Sequence, residues 1–275
     1  MTSGTLNSVG TSLYSLPPSP VRAQARATAV TRAGSEPWPE DSFVRQLPDA
    51  DRTALLDAGI PIRFEDDQIL LMQGDAGDFL YVLTSGLVKV IVAAVSGAQT
   101  TLAIRSRGDL MGEFALLDNK PRTATARAAG SVTALKVGGA AFLTIVSRSP
   151  GAQAAITKYL LAKMRSTTER RAAERMWDAR ERLAQVLYDL GRQHAQPDVD
   201  GLIRVPITQS ELGELAGVAV STAERVLKEL RRQGAISTRY REITIRDMDY
   251  LDSIRFPREN QVNPLPAGIY AALIR

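Results

Sequence analysis

Gly112-Glu113-Phe114-Ala115-Leu116-Leu117-Asp118-Asn119-Lys120-Pro121-Arg122-Thr123-Ala124-Thr125-Ala126 is the stretch whose reading decides the fold. It opens with a glycine and a carboxylate, continues with an apolar run of about one helical turn, and closes with an arginine and a hydroxyl entering a β-like run. These are the parts of a cradle for a phosphate and a sugar. Glycine lets the backbone approach a ligand closely, a helix N-terminus presents unpaired N–H groups to an anion, and Arg122 offers a bidentate fork to a phosphate. Glu113 is left to accept from a ribose hydroxyl. Taken alone, the pattern also fits a β-hairpin with a surface Glu–Arg pair, so the rest of the chain must supply its context.

Upstream of this stretch, a short amphipathic helical pattern spans Phe43 to Leu56, and then the period changes to that of strands. The runs Gln68–Met72, Phe79–Leu83, Leu87–Val92, Thr100–Ile104 and Val132–Val137 are separated by Gly74, Gly77, Gly86, Gly97 and Gly108. Short strands at regular spacing with glycine turns predict a β-sandwich or barrel.

Downstream, Ala140 to about Gly191 reads as helical, interrupted near Ser147–Gly151. Ile156, Leu160 and Met164 form an apolar stripe, continued by Thr167 and then by Arg171 and Glu174 at near-heptad spacing. Such a stripe is either core packing or a dimer seam. The seam is favoured, because a helix running past a closed β-domain has no other surface to cover it.

From Ile207 to Leu230 the chain reads as a helix-turn-helix. Thr208 and Glu211 form a capping box that starts a helix. Gly213 permits a close helix crossing, Gly217 allows the turn, and Ser221 with Glu224 offers a second box that competes with a start near Ala219. Ala235-Ile236-Ser237 and Glu242–Ile245 then predict two short strands around Thr238–Arg241, a wing. Between Gly217 and Arg246 there are seven basic residues and three acidic ones, a local charge of +4. Order, glycine spacing, wing and charge favour DNA binding over a helical hairpin with a solvated face.

Composition narrows the field further. At 275 residues, the chain has room for two domains. The absence of cysteine excludes disulfides, zinc-thiolate sites and cysteine-ligated iron–sulfur clusters. The single histidine, His194, leaves little for a metal site or a histidine triad and reads as a partly exposed loop residue. No nucleophile–base pair, metal cluster or P-loop is present, so no enzyme is expected. The formal charge is +4, but residues 1–35 hold Arg22, Arg26 and Arg32 and no acid, so the remainder is only +1 and any nucleic-acid signal must be local. No run approaches the ~18 apolar residues of a membrane span, and the N-terminus lacks an apolar signal core. The expected location is the cytoplasm. Residues 1 to about 40, rich in Ser, Thr, Ala, Gly and Pro, read as a disordered tail, although an Arg- and Ser-rich acid-free start also fits an organellar transit peptide.

The Gly112–Ala126 stretch closely resembles the phosphate-binding cassette of cyclic-nucleotide-binding domains, which read Gly-Glu-Leu-Ala-Leu, a few variable residues, then Arg, a small residue and Ala. Phe114 stands where leucine is usual. Gly74-Asp75, Phe79, Tyr81-Val82, Gly86 and Val88 resemble the first half of such a roll. From about residue 43 to 250 the chain is similar to the cyclic-AMP receptor and fumarate–nitrate regulator (Crp/Fnr) family of bacterial transcription factors, which favours the plain tail at the N-terminus.

The resemblance implies an α+β fold: a tail over 1–40, a cyclic-nucleotide-binding β-roll over 41–150, a dimerisation helix and hinge over 151–190, a winged helix-turn-helix over 191–256, and a tail over 257–275. It implies a homodimer that binds double-stranded DNA at a pseudo-palindromic operator, contacts RNA polymerase, and takes cyclic AMP or cyclic GMP as effector with no cofactor. Ligand contacts fall to Gly112, Glu113, Phe114, Ala115, Arg122 and Thr123. Thr167 and Thr168 fall where cyclic-AMP-binding members carry a Thr-Ser pair that contacts the purine, and Asp178 falls at the inter-domain hinge. Thr123 resembles the threonine of cyclic-GMP-preferring domains, yet a serine there serves cyclic AMP, so both nucleotides stay open. Arg170, Arg171, Glu174 and Arg175 crowd a stretch that is more apolar in those members. DNA contacts fall to Thr208, Gln209, Ser210, Val220, Ser221, Thr222, Arg225, Lys228, Arg239 and Arg241. Arg225 stands at a base-contacting position, whereas Val220 and Ser221 replace an Arg-Glu pair; a valine cannot read guanine but can touch a thymine methyl. Two rival readings remain: a DNA-binding regulator whose roll is blind to cyclic nucleotide, and a cyclic-nucleotide-binding module for an enzyme or channel.

Overall fold

A computed structural model describes residues 37–193 and 201–255. His194 and the expected tails, apart from residues 37–40, lie outside the described residues. In chain order the elements are α1 (Phe43–Gln46), α2 (Asp49–Asp57), β1 (Ile60–Phe64), β2 (Ile69–Leu71), β3 (Phe79–Ala93), β4 (Gln99–Arg105), β5 (Leu110–Met111), α3 (Glu113–Asp118), β6 (Thr125–Gly138), α4 (Gly139–Arg148) and α5 (Pro150–Met176). After them come α6 (Ala179–Gln193), β7 (Ile203–Val205), α7 (Gln209–Ala216), α8 (Val220–Arg232), β8 (Ile236–Arg239), β9 (Glu242–Ile245) and α9 (Met248–Arg255).

The amphipathic run expected as one helix forms two, α1 and α2, because Leu47 is extended before Pro48, where an α conformation would clash with the proline ring. The runs at 79–83 and 87–92 join into a single strand, β3, with the register shifting across Leu83–Leu87. β1 has no counterpart among the expected strands; its Pro61 is accommodated because β1 lies at the sheet edge, where a missing N–H is tolerated.

β3 and β6 pair antiparallel from Phe79↔Gly138 to Ile91↔Thr125. β6 takes β1 along Val132–Lys136 and β2 at Ala126 and Arg127. β3 takes β5 at Tyr81 and Val82 and β4 along Val88–Ala93. Each half of the long hairpin thus has its own flanking strands, and the shift between halves bends it into a roll. One core joins Leu80, Val82, Leu110 and Val137 to Phe43, Phe142, Ile156 and Tyr159, and a second lies among Leu71, Leu83, Val88, Met111, Ala126 and Ala128.

Ser149 caps α5 by accepting from the Ala152 N–H, with Pro150 in the first turn. The stripe divides here. Ile156 is buried on the roll with Ala152, Ala155 and Tyr159, whereas Leu161 and Met164 are exposed, and Thr168 and Arg171 continue their face at alternating intervals of three and four residues. α5 ends at Trp177, which is extended, and Asp178 starts α6 by accepting from the N–H groups of Arg180 and Glu181 at 2.7 and 2.9 Å.

Leu183, Ala184, Leu187 and Leu190 of α6 share one core with Leu212, Leu215, Ala223, Leu227 and Leu230 of α7 and α8, with Ile243 and Ile245 of the β7-β9-β8 sheet, and with Leu251 of α9. The segment expected as dimerisation helix and hinge over 151–190 forms two helices that part at Trp177-Asp178, beside the position the resemblance gave to the hinge, and the second packs within the head.

Candidate ligand cavity and nucleic-acid interface

The cassette folds around a buried guanidinium. Arg122 is only 4% exposed; its Nη1 donates to the Gly112 carbonyl and its Nη2 to the Phe79 carbonyl, each at 2.5 Å. Gly112 has φ +94, and a Cβ there would lie 2.4 Å from Arg122 Nη1. A Cβ at Gly77 would lie 2.8 Å from Arg122 Cζ. Both backbones are glycine because the guanidinium fills the space a side chain would take. Burial pulls the Arg122 pKa down, opposed by the charges of Asp78 and Glu113, with smaller help from Tyr81 and Asp75. An arginine stays charged under such a shift.

Glu113 is buried, and Lys163 Nζ donates to its Oε1 at 2.6 Å. Burial pushes the Lys163 ammonium below its usual range, and the Glu113 charge partly offsets this. Tyr159 fixes α5 against the roll: its hydroxyl accepts from the Leu110 N–H at 3.0 Å and donates to Asp109 Oδ1 at 3.1 Å.

A cavity of about 380 Å³ opens between the cassette, the inner face of β3 and β4, and α5. That falls within the range of small-molecule sites, about 300–1,000 Å³. Gly112, Glu113, Phe114, Ala115, Arg122, Thr123 and Thr167 all line it. Thr168 is not among the lining residues; it is exposed on α5, its hydroxyl donating to the Met164 carbonyl at 3.1 Å. Lys163 and Arg105, neither of them singled out from sequence, line it as well. Lys163 was legible as the residue one helical turn before Thr167; Arg105 lies one residue past the expected strand Thr100–Ile104, and nothing in the sequence assigns its face.

The head is built as its residues dictate. Thr208 Oγ1 accepts from the Glu211 N–H at 3.1 Å while Glu211 Oε2 accepts from the Thr208 N–H at 2.7 Å, a complete capping box. Gly217 adopts φ +63, ending α7 as a left-handed cap, and the Val218 N–H then bonds back to the Gly213 carbonyl. α8 begins at Val220 with Ala219 as N-cap, so the Ser221–Glu224 box is not what starts it. Val220, Ser221, Arg225 and Lys228 are exposed, Thr222 is half-buried, and Thr208, Gln209 and Ser210 are half-buried at the start of α7. Arg239 is exposed at the end of β8. Arg241, expected on DNA, instead faces the roll, 3.5 Å from Asp67 Oδ1 and 4.0 Å from Asp66 Oδ2.

The head rests on the outer face of β3 and β4. Lys89, 2% exposed, donates to Glu211 Oε1 at 2.6 Å, and the Thr101 N–H donates to Glu214 Oε2 at 2.7 Å. Leu87, Ile104 and Ala129 of the roll join the head's core.

Two family descriptions match this chain: Cyclic nucleotide-binding domain over residues 61–149 and Crp-like helix-turn-helix domain over residues 181–254. The chain belongs to the Crp/Fnr family of transcription factors. Among Crp/Fnr relatives, it is 26% identical over 193 residues to the CRP-like cAMP-activated global transcriptional regulator of Mycobacterium tuberculosis, covering 70% of this chain and 86% of that one. To the Cyclic AMP receptor protein of Thermus thermophilus it is 29% identical over 187 residues, covering 68% and 84%. FixK2 from Bradyrhizobium japonicum shares the fold with a TM-score of 0.62 at 18% identity, covering 72% of this chain and 98% of that one. TTHB099, a CRP-family transcriptional regulator from Thermus thermophilus, gives 0.58 at 26% identity, covering 70% and 96%. Membership in Crp/Fnr makes this chain a ligand-responsive DNA-binding regulator and places it among transcription regulators rather than enzymes. No helix among the described residues is long and apolar enough to cross a membrane.

Proposed function

We propose that the roll binds a cyclic mononucleotide, cyclic AMP or cyclic GMP, and that two copies of the chain, joined through α5, bind a pseudo-palindromic operator through their heads. The observation that carries this reading is one cavity whose lining includes Arg122, Glu113 and Thr167. Arg122 answers the cyclic phosphate and Glu113 a ribose hydroxyl, for which it turns from Lys163 or shares it. The relatives named for cyclic AMP support the same ligand class.

The dimer reading rests on α5, whose face of Leu161, Met164 and Thr168 is exposed in a single chain. Closing that face against a second α5 sets Thr168 at the seam. Ser221, Arg225 and Lys228 lie on the solvent face of α8 and enter the major groove, with Arg225 reading a base and Val220 reaching a thymine methyl. Thr208, Gln209, Ser210, Thr222 and Arg239 lie around that face and position the backbone. Arg241 reaches DNA only after leaving Asp67. Operator binding places the protein in the cytoplasm, within reach of RNA polymerase. Calorimetric titration of the purified protein with cyclic AMP and with cyclic GMP tests the ligand: saturable binding of either supports it, and binding of neither removes it.

One observation favours a second reading, a roll blind to cyclic nucleotide. Glu113, the residue needed by the sugar, is already neutralised by Lys163 at 2.6 Å.

A further inference from the structure

Arg105 is a cation in the cavity wall that no carboxylate answers. On β4 it pairs with Val88, and Ala103 pairs with Val90, so Arg105 and Ala103 share the inner face, while Ile104 between them points outward into the core shared with the head. Among the described residues Arg105 has no ion-pair partner; its Nη1 donates only to the adjacent Ile104 carbonyl at 3.1 Å. Its charge acts on α5 on both sides of Thr167. Burial pushes both Lys163 and Arg170 down, and the Arg105 charge adds to that push on each. Within the cavity lining, the three cations Arg105, Arg122 and Lys163 face one carboxylate, Glu113, and that carboxylate is taken by Lys163.

We propose that Arg105 reads the O6 and N7 edge of a guanine base, so that the cavity selects cyclic GMP over cyclic AMP. The inference rests on the cyclic-nucleotide reading of the roll. With the phosphate held at Arg122, the base extends toward α5, where Arg105 and Thr167 wait. A guanidinium presents parallel donors, and guanine's O6 and N7 are paired acceptors, the match arginines use to read guanine in DNA. Adenine offers N7 but sets an amino donor where O6 would be, leaving donor against donor in a half-buried site. Thr167 already donates its hydroxyl proton to the Lys163 carbonyl at 3.0 Å, so its oxygen faces the ligand as an acceptor, suited to guanine's N–H groups.

The test is calorimetric titration of the full chain with cyclic GMP, cyclic AMP and cyclic IMP, which keeps O6 and N7 but lacks the 2-amino group. Cyclic GMP and cyclic IMP are expected to bind about ten- to a hundredfold tighter than cyclic AMP, the discrimination a bidentate arginine supplies. R105L is expected to bring both down to the cyclic-AMP level. Its retained binding of cyclic AMP shows the cavity intact; if R105L binds nothing, R105K, which keeps the charge but not the fork, must lose the same preference. Equal or tighter binding of cyclic AMP by the wild type, weak binding of cyclic IMP beside strong binding of cyclic GMP, or a preference that survives in the binding-competent variant overturns the role of Arg105 while leaving the cyclic-nucleotide reading standing. Binding of none of the three by the wild type overturns both.

Discussion

Replacing Lys89 with methionine removes one charge from the seat of the head on the roll while keeping the length of the side chain. Lys89 is 2% exposed and its Nζ stands 2.6 Å from Glu211 Oε1. Taking away one partner of a buried ion pair costs about 3–5 kcal/mol, because the other charge is left uncompensated. Here the stranded carboxylate is spared part of that cost, since the Glu211 side chain is 18% exposed and its second oxygen still accepts from the Thr208 N–H at 2.7 Å. The expected loss is therefore that of one charged hydrogen bond, about 1.5–3 kcal/mol. Urea denaturation followed by tryptophan fluorescence reads it, with Trp38 reporting on the roll and Trp177 on the α5–α6 junction. A cycle of K89M, E211Q and the double variant isolates the pair, and the double variant should recover part of the loss because no bare carboxylate remains. A coupling energy under about 0.5 kcal/mol, the usual scatter of additivity for unconnected sites, would refute the claim that this ion pair fastens the head to the roll.

Three further outcomes are expected. Arg122→Leu should weaken cyclic-nucleotide binding by about ten- to a hundredfold, the worth of a charge-assisted contact; equal affinity in titration would remove Arg122 from the site. Arg225→Ala should cost about 1–3 kcal/mol and relax specificity at one position per half-site, whereas losing Lys228 or Arg239 should weaken all sequences alike and flatten the salt dependence, as gel-shift titrations over salt would show. Burial works to raise the Asp67 pKa, but the hydrogen bonds and charges of Arg127 and Arg241 outweigh it and hold the group below 3.8. Asp67 thus contributes stability that is present above pH 3.8 and lost as pH falls through its lowered value. D67N should be less stable than wild type at neutral pH and match it once the pH has fallen well below the lowered pKa of Asp67; a difference in denaturation midpoint that persists in acid would contradict this.

Much of this was legible because it depends on local chemistry. The Gly112–Ala126 cassette closes on itself: Arg122 bonds back to Gly112, so the pattern carries its own fold. The Thr208–Glu211 box and Gly217 act within one turn of helix, and each forms as its residues dictate. What sequence did not show lies across the fold. Lys89 stands in an apolar run, and only the packing of the head on β3 makes it a buried ion-pair partner. Lys163 is an ordinary helix lysine until α5 lies over Glu113. Periodicity alone reads the α5 stripe as one seam, since it does not say which face a roll will cover; Ile156 faces the core, beside Tyr159. Arg241, basic and in the wing, reads as a DNA contact, and nothing local announces its pairing with Asp67, 174 residues away.

In the proposed function, a ligand in the roll biases the heads. Both faces of β4 take part: Ala103 and Arg105 line the cavity, and Ile104 packs under the head. α5 adds a second route, running from Lys163 and Thr167 at the cavity to the break at Trp177. A ligand shifts such an equilibrium only by binding one arrangement better than the other, and the coupling, typically about 1–3 kcal/mol, is reciprocal. The exposed polar residues Arg171 and Glu174 beyond the cavity leave little apolar surface to lock, which points to the weak end of that range. The most direct measurement is the affinity for cyclic GMP and for cyclic AMP with and without an operator selected from random DNA. Saturating operator should tighten nucleotide binding by about five- to tenfold, and nucleotide should tighten operator binding by the same factor. Nucleotide affinity unchanged by operator would mean that roll and heads are uncoupled, which contradicts a ligand-controlled reading head.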